Sequence, residues 1–156
     1  MDFSAEKKAT VDEKGRVVLP ADYKNEMGGR IPGGQLAVEQ DPYEKCLNIY
    51  PMDFWEKRLA FLKGKLNRNN REQSRLLDLI YRSFKLIQVP ENGRMNLPNS
   101  FLLRAGIVRD VVFVGQGNRI RLWDVSEYES YLGSMGGYGE LFEKHFGRLE
   151  ELEDQV

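Results

Sequence analysis

Two stretches of the chain, VDEKGRVVLP (Val11 to Pro20) and VPENGRMNLP (Val89 to Pro98), superimpose at a single shift of 78 positions. Val11 falls on Val89, Gly15 on Gly93, Arg16 on Arg94, Leu19 on Leu97 and Pro20 on Pro98. A chain that carries the same turn, strand and proline twice must build two like units, or one unit that two like halves complete. The likeness continues at the same shift, with Tyr23 on Phe101, Met27 on Ala105 and Gly28 on Gly106. At a shift of 73, Leu47 falls on Ile120, Ile49 on Leu122, Tyr50 on Trp123, Trp55 on Tyr128 and Leu59 on Leu132. The first copy therefore has five extra residues, which the sequence places in the connector GGRIPGG, rich in glycine.

Each copy reads as strand, turn, strand, short helix, strand, turn, strand and longer helix. KATVDEKGRVVLP reads as two alternating segments around a glycine turn. QLAVEQ with CLNIYP, and DVVFVG with RIRLWD, supply the next strand pairs. The longer helices begin at DFWE and SEYE, where Asp53 with Glu56 and Ser126 with Glu129 have capping-box spacing. Between the copies, Met52, Trp55, Leu59, Leu62 and Leu66 mark one face of a helix, and REQSRLLDLIYRSF predicts a second, turning Leu76, Leu77, Ile80 and Phe84 inward. GELFEKHFGRLEELEDQV reads as an acidic amphipathic helix that frays at its end. The expected organisation is repeat 1 over 7–54, linking helices over 55–82, repeat 2 over 83–126, and a C-terminal helix with an acidic tail over 127–156. One repeat is too small to bury its own core. Two can share one, giving pseudo-twofold symmetry.

With 41% of its residues hydrophobic and 30% charged, the chain suits a soluble folded domain. No apolar run approaches the roughly 20 residues needed to span a bilayer, and MDFSAEKKATVDEKG carries charge where a signal peptide is apolar. A single cysteine, Cys46, excludes an internal disulfide and a cysteine-rich metal site. These features predict a cytoplasmic protein with no membrane association. The net charge of −1 makes no global case for a polyanion partner, so such a case must rest on local charge. Nine basic residues between Lys57 and Lys85 stand against Glu72 and Asp78, a local excess of +7. This segment reads either as the solvated face of two helices, one that acidic tails of neighbouring subunits can pair with, or as a surface that attracts DNA non-specifically.

The repeated turns carry the functional reading. Arg16 and Arg94 project from equivalent positions, and arginine donates in pairs to phosphate oxygens and guanine edges. Gly15 and Gly93 let the backbone turn with φ > 0. Asp12 lies four residues before Arg16, where its carboxylate can brace the guanidinium and so lower the entropy lost on binding. Lys14 and Asn92 sit in the turns themselves, and Lys7 and Lys8 precede the first. These residues are the candidates for DNA contact. The same turns also serve a purely structural hairpin.

No catalytic or metal-binding constellation stands beside them, and the sequence predicts neither an enzyme nor a cofactor. His145 lies on the tail helix near Phe142 and Phe146, as a surface or packing residue. Cys46 opens a predicted strand with no second thiol or histidine near it. GQGNR (Gly115 to Arg119) has the look of a phosphate loop but falls between two strands, as a hairpin turn does. Trp55 and Trp123 read as core or subunit-interface residues.

The segments ATVDEKGRVVLPADYKNEM, CLNIYPMDFWEKRL and GRMNLPNSFLLRAGIVRDVVFVGQGNRIRLWD resemble the MraZ family, bacterial transcriptional regulators built from two tandem SpoVT-AbrB-type repeats. The resemblance covers roughly positions 3 to 132. The family's Asp-x-x-x-Arg signature falls on Asp12 and Arg16; in the second copy Arg94 matches, and Pro90 stands where the aspartate is expected. The N-terminal MDFSA also departs from the Met-Phe-x-Gly-like start of many members. The resemblance implies an α+β fold with a pseudo-twofold, swapped-hairpin or double-split βαβ core of AbrB type and added helices. It further implies a closed ring of several subunits in the cytoplasm or nucleoid. It also implies binding to short direct repeats of DNA upstream of cell-wall and division genes, with repression of that operon. A protein-interaction or scaffolding module on the same β-body, as in related antitoxin-type folds, is the alternative.

Overall fold

The structure, a computed structural model, describes residues 1–156. The first copy supplies β1 (Glu6–Thr10), β2 (Arg16–Val18), α1 (Ala21–Glu26), β3 (Gln35–Gln40) and β4 (Leu47–Pro51). Two helices follow, α2 (Met52–Gly64) and α3 (Arg71–Arg82). The second copy supplies β5 (Phe84–Gln88), β6 (Arg94–Asn96), α4 (Asn99–Arg104), β7 (Asp110–Gln116) and β8 (Arg119–Asp124). The chain ends in α5 (Val125–Gly133), α6 (Tyr138–Phe146) and α7 (Leu149–Glu153). It divides into two compact units, Met1–Val125 and Ser126–Val156. No helix is long and apolar enough to cross a membrane.

In the first unit a six-stranded sheet runs in the order β1-β7-β8-β4-β3-β5, every ladder antiparallel, and β2 pairs with β6 in a separate two-stranded ribbon. The strand pairing crosses between the copies. β1 of the first copy lies on β7 of the second, with Lys8 opposite Val112; β5 of the second lies on β3 of the first, with Leu86 opposite Ala37. This corrects the reading of KATVDEKGRVVLP as a two-stranded hairpin. β1 gives its ladder to β7, extended by Val11 N–H to the Arg109 carbonyl (2.8 Å), while the turn itself is closed by Asp12 N–H to the Arg16 carbonyl (2.9 Å) and Gly15 N–H to the Asp12 carbonyl (3.0 Å).

The register also relocates the extra residues of the first copy. Leu36 opposes Pro51 where Val111 opposes Asp124, so the offset is 75 across β3 and 73 across β4. Three insertions lie before β3, where Pro32–Gly34 forms a 3-10 turn, and two lie in the β3–β4 turn; they are not all in GGRIPGG.

Strand alternation gives the sheet two different faces. Leu36, Val38, Leu47, Ile49, Phe113 and Leu122 join one large buried core. Val17, Leu19, Met95 and Leu97 of the ribbon belong to that core, as does Tyr23 of α1, whose hydroxyl donates to the Ala5 carbonyl at 2.6 Å. On the opposite face Ala37 and Tyr50 pack with Trp55 of α2 and Phe84 of β5. Trp55 and Trp123 are both buried.

That second face also holds buried polar groups joined by hydrogen bonds and ion pairs, as burial favours. The Asn48 amide donates to Glu39 and to Asp41, both at 3.0 Å; Arg58 Nε donates to Glu39 at 3.0 Å, and Arg121 Nη2 to Asp41 at 3.2 Å. Burial by itself raises the Asp41 pKa, yet the Asn48 amide, the Tyr43 and Glu44 N–H groups and Arg121 together hold it below the usual carboxylate value.

Other local expectations need correction. α2 starts at Met52 after Pro51, so Asp53 lies within the first turn and accepts from the neighbouring Phe54 N–H at 3.0 Å instead of capping from outside. Ser126 likewise lies inside α5. α3 ends at Arg82, and Phe84 begins an edge strand; Leu76 is about half exposed, not turned inward, while Leu77, Ile80 and Phe84 are half-buried. Cys46 precedes β4 instead of opening it. The stretch GELFEKHFGRLEELEDQV, expected as one acidic helix, belongs to two helices, α6 and α7, interrupted at Gly147 and Arg148. Tyr138, Phe142 and Phe146 stack along α6 with centroids 6.0 and 5.1 Å apart, and His145 is exposed beside them.

Candidate nucleic-acid interface

The Gly-Arg-x-x-x-Pro spacing of both copies finds its reason in the β2–β6 ribbon. Arg16 opposes Asn96, Val17 opposes Met95 and Val18 opposes Arg94. Alternation then sends Val17, Leu19, Met95 and Leu97 into the core, while Arg16, Val18, Arg94 and Asn96 share the outer face. The prolines that follow lack an N–H to extend the ladder, and each begins a short helix, α1 or α4.

The glycines sit where the other copy's strand ends. Leu97 N–H donates to the Gly15 carbonyl at 2.9 Å, and Leu19 N–H to the Gly93 carbonyl at 2.8 Å. Both glycines have positive φ (80° and 77°), and a Cβ on Gly15 would meet the Leu97 carbonyl oxygen at 2.9 Å. The helices also reach across. Lys24 Nζ donates to the Glu91 carbonyl at 3.2 Å in the second turn, while Leu102, its equivalent at a shift of 78, abuts the first turn beside Gly15. The two turns thus stand at opposite ends of one ribbon, each fastened by the other half of the chain.

Their internal bracing differs. Asp12 Oδ1 accepts from the Lys14 and Arg16 N–H groups, both at 2.9 Å, and Oδ2 accepts from Arg16 Nε at 2.8 Å. The Arg16 N–H bond is the largest of the effects that lower the Asp12 pKa. In the second turn Pro90 offers no carboxylate. Asn92 Oδ1 accepts the Arg94 N–H at 3.0 Å and so takes over part of the backbone role, while the Arg94 guanidinium has no acid partner.

Lys14 stands exposed in the first turn. Lys7 and Lys8 are on the six-stranded sheet and on its opposite faces: Lys7 pairs with Asp22 of α1 at 3.4 Å, and Lys8 lies opposite Val112. The ribbon adds two outward residues that the sequence reading did not single out, Val18 and Asn96. Only the register reveals them; a β-branched residue and an asparagine two positions after an arginine carry no signal alone. Formal charge on the turns cancels, with Asp12 and Glu13 against Lys14 and Arg16, and Glu91 against Arg94. The arrangement is a narrow ribbon presenting two arginines and an asparagine, with little net field of its own.

No group of three or more His, Cys, Asp or Glu side chains is placed to hold a metal ion. Cys46 is buried, and desolvation pushes its thiol up to about 11.

A family model described as "MraZ protein, putative antitoxin-like" matches residues 3–79 and 85–137. Among curated proteins similar to this chain, the "Transcriptional regulator MraZ" of Bacteroides fragilis is 30% identical over 140 residues, covering 87% of this chain and 85% of that protein. The protein of the same name from Nitratidesulfovibrio vulgaris is 31% identical over 132 residues, 83% of this chain and 85% of its own length. That of Phocaeicola vulgatus is 30% identical over 158 residues, 98% of this chain and 99% of its own length.

Proposed function

The chain belongs to the MraZ family, and from that premise we propose that it is a sequence-specific DNA-binding transcriptional regulator, a repressor that binds short direct repeats upstream of a division or cell-wall operon. The β2–β6 ribbon carries this reading, because it sets Arg16 and Arg94 on one outer face of one chain. A two-stranded ribbon fits the B-DNA major groove, about 12 Å wide. Arg16 and Arg94 are diagonal neighbours across the ladder, roughly 7–8 Å apart at the backbone. That distance matches about two base-pair steps at 3.4 Å. Arginine pairs with guanine O6 and N7, and Asn96, opposite Arg16, suits adenine N6 and N7.

Strand exchange between the copies supports a swapped-hairpin core of AbrB type, with 7–54 and 83–126 as its repeats, 55–82 as linking helices and 127–156 as tail. Near-neutral turns give one subunit little non-specific hold on DNA, so several subunits in a ring-like homo-oligomer supply affinity by avidity. Nucleoid association follows from the same contacts.

The test is a gel shift on the chain's own upstream DNA with wild type, Arg16→Ala and Arg94→Ala. Loss of a bidentate base contact costs about 1–3 kcal/mol, so Arg16→Ala is expected to weaken binding by at least about fivefold while leaving the melting temperature nearly unchanged. Undiminished affinity in folded Arg16→Ala refutes the assignment and favours a protein-interaction module on the same β-body.

A further inference from the structure

The face of the sheet turned away from the β2–β6 ribbon holds a second basic feature, an open cavity of about 630 Å³ between α2, the end of β4 and the β7–β8 turn. We propose that this cavity binds a free nucleotide, a phosphorylated molecule with a planar base, independently of DNA contact by the ribbon. Its cationic lining is Lys57, Arg58 and Arg119, and no aspartate or glutamate lines it. Arg58 is partly spent on Glu39, whose carboxylate its Nε reaches at 3.0 Å. Lys57 and Arg119 have no acid partner. Arg119 Nε donates to Gln116 Oε1 at 2.8 Å, which fixes the plane of the guanidinium at the cavity rim. A held arginine fork with a nearby lysine is suited to a phosphate group.

The remaining walls are aromatic. Phe54 and Phe61 sit seven residues apart on one side of α2, bracketing Lys57 and Arg58, and Tyr50 lies at the base. Phe61 is 64% exposed with Lys65 Nζ 5.2 Å from its ring centroid, an uncovered stacking surface beside positive charge. Cations without acids select an anion, and rings select a planar group; a nucleotide has both. The volume lies within the roughly 300–1,000 Å³ usual for small-ligand sites. Tyr50 and Trp55 belong to the packing on this face, whereas Val17 and Met95 under the ribbon belong to the core on the other. A duplex lying on the ribbon is therefore separated from the cavity by the sheet. The role of GQGNR changes accordingly: its backbone is a hairpin turn, with Gln116 opposite Arg119, and its side chains form one wall of an anion site.

Calorimetric titration of the full-length protein with GTP, ATP, guanosine, inorganic phosphate and a single-stranded oligonucleotide tests this. One nucleotide per chain is expected, bound at least about tenfold more tightly than guanosine or phosphate alone, since neither fragment makes both sets of contacts. Arg119→Ala and the exposed Lys57→Ala are each expected to weaken nucleotide binding about tenfold, one charge-assisted contact's worth. Arg16→Ala is expected to leave it unchanged, which keeps this test separate from that of the DNA-binding reading. Absence of saturable nucleotide binding, phosphate bound as tightly as GTP, preference for the oligonucleotide, or indifference to both cavity variants with unchanged melting curves would each overturn the proposal.

Discussion

Asp12 spends two of its three hydrogen bonds on backbone and one on the Arg16 guanidinium, so two substitutions separate its roles. Asp12→Asn keeps an oxygen for the Lys14 and Arg16 N–H groups but loses the charge opposite Arg16. It is expected to fold as wild type and to bind DNA less tightly, by a smaller factor than Arg16→Ala. Asp12→Ala removes both roles and is expected to lower DNA affinity further. Because the folded pKa of Asp12 is depressed, its contribution to stability is present above the ordinary carboxylate pKa of about 3.9 and is lost as pH falls through the lower folded value. A carboxyl NMR titration is expected to put its midpoint below that of aspartate in a peptide. Glu13 and Glu91 occupy equivalent positions in the two turns, close to Arg16 and Arg94 in sequence. Glu13→Gln with Glu91→Gln is expected to raise affinity for DNA of any sequence, measured against a scrambled duplex, because two like charges leave the phosphate side. Contacts within one turn are the most legible in sequence: four residues separate Asp12 from Arg16. The second turn is less so, since nothing in PENG announces that Asn92 holds the Arg94 backbone where Pro90 offers no carboxylate.

Among the elements, the ribbon depends on its glycines and the large sheet on its buried ion pair. Gly15→Ala forces an L-residue into left-handed backbone, costing about 1–2 kcal/mol, and brings Cβ against the Leu97 carbonyl oxygen. It is expected to lower the urea midpoint and to weaken DNA binding, because the turn and the partner strand shift together. Asp41→Ala takes a carboxylate acceptor from Arg121, whose side chain is only 7% exposed. Breaking a buried pair in this way costs about 3–5 kcal/mol, and Asp41→Asn removes the same charge, so both variants are expected to be clearly less stable than wild type in chemical denaturation. Asp41 has a lowered folded pKa, and its stabilisation is likewise lost as pH falls through that value, so Asp41→Asn is expected to flatten the acid limb of the stability profile. The number and kind of strands could be read from alternation and turn chemistry, but their partners could not. Both copies carry the same period-2 pattern, so local sequence fits β1 on its own copy as well as on β7; the shared core decides. The same limit hid Phe84, whose spacing continues the α3 pattern although the chain has already turned into β5.

At the scale of the whole molecule, the surface between Leu76 and Leu86 calls for a partner. Leu76, Leu79, Tyr81 and Leu86 are each about half exposed, in a segment that also carries cationic Arg75, Arg82 and Lys85. β5 is an edge strand with β3 on one side only, and unpaired edges of this kind invite another chain. Eight carboxylates against two cations leave Ser126–Val156 with an excess of six negative charges, complementary to the basic segment in a second copy. Assembly through this edge would repeat the ribbon on every subunit and match it to successive DNA boxes, which offsets the weak field of each turn pair. The expected outcome is a homo-oligomer larger than a dimer whose affinity rises steeply from one box to three and falls steeply with salt. Leu79→Glu combined with Leu86→Glu changes exposed positions and spares the core under the ribbon. Light scattering should therefore find a smaller folded species, and titration should find one-box binding retained while the gain from added boxes disappears. A double variant that keeps the wild-type mass would move the subunit contact away from this edge, and a monomer that binds one box as tightly as three would end the avidity mechanism itself.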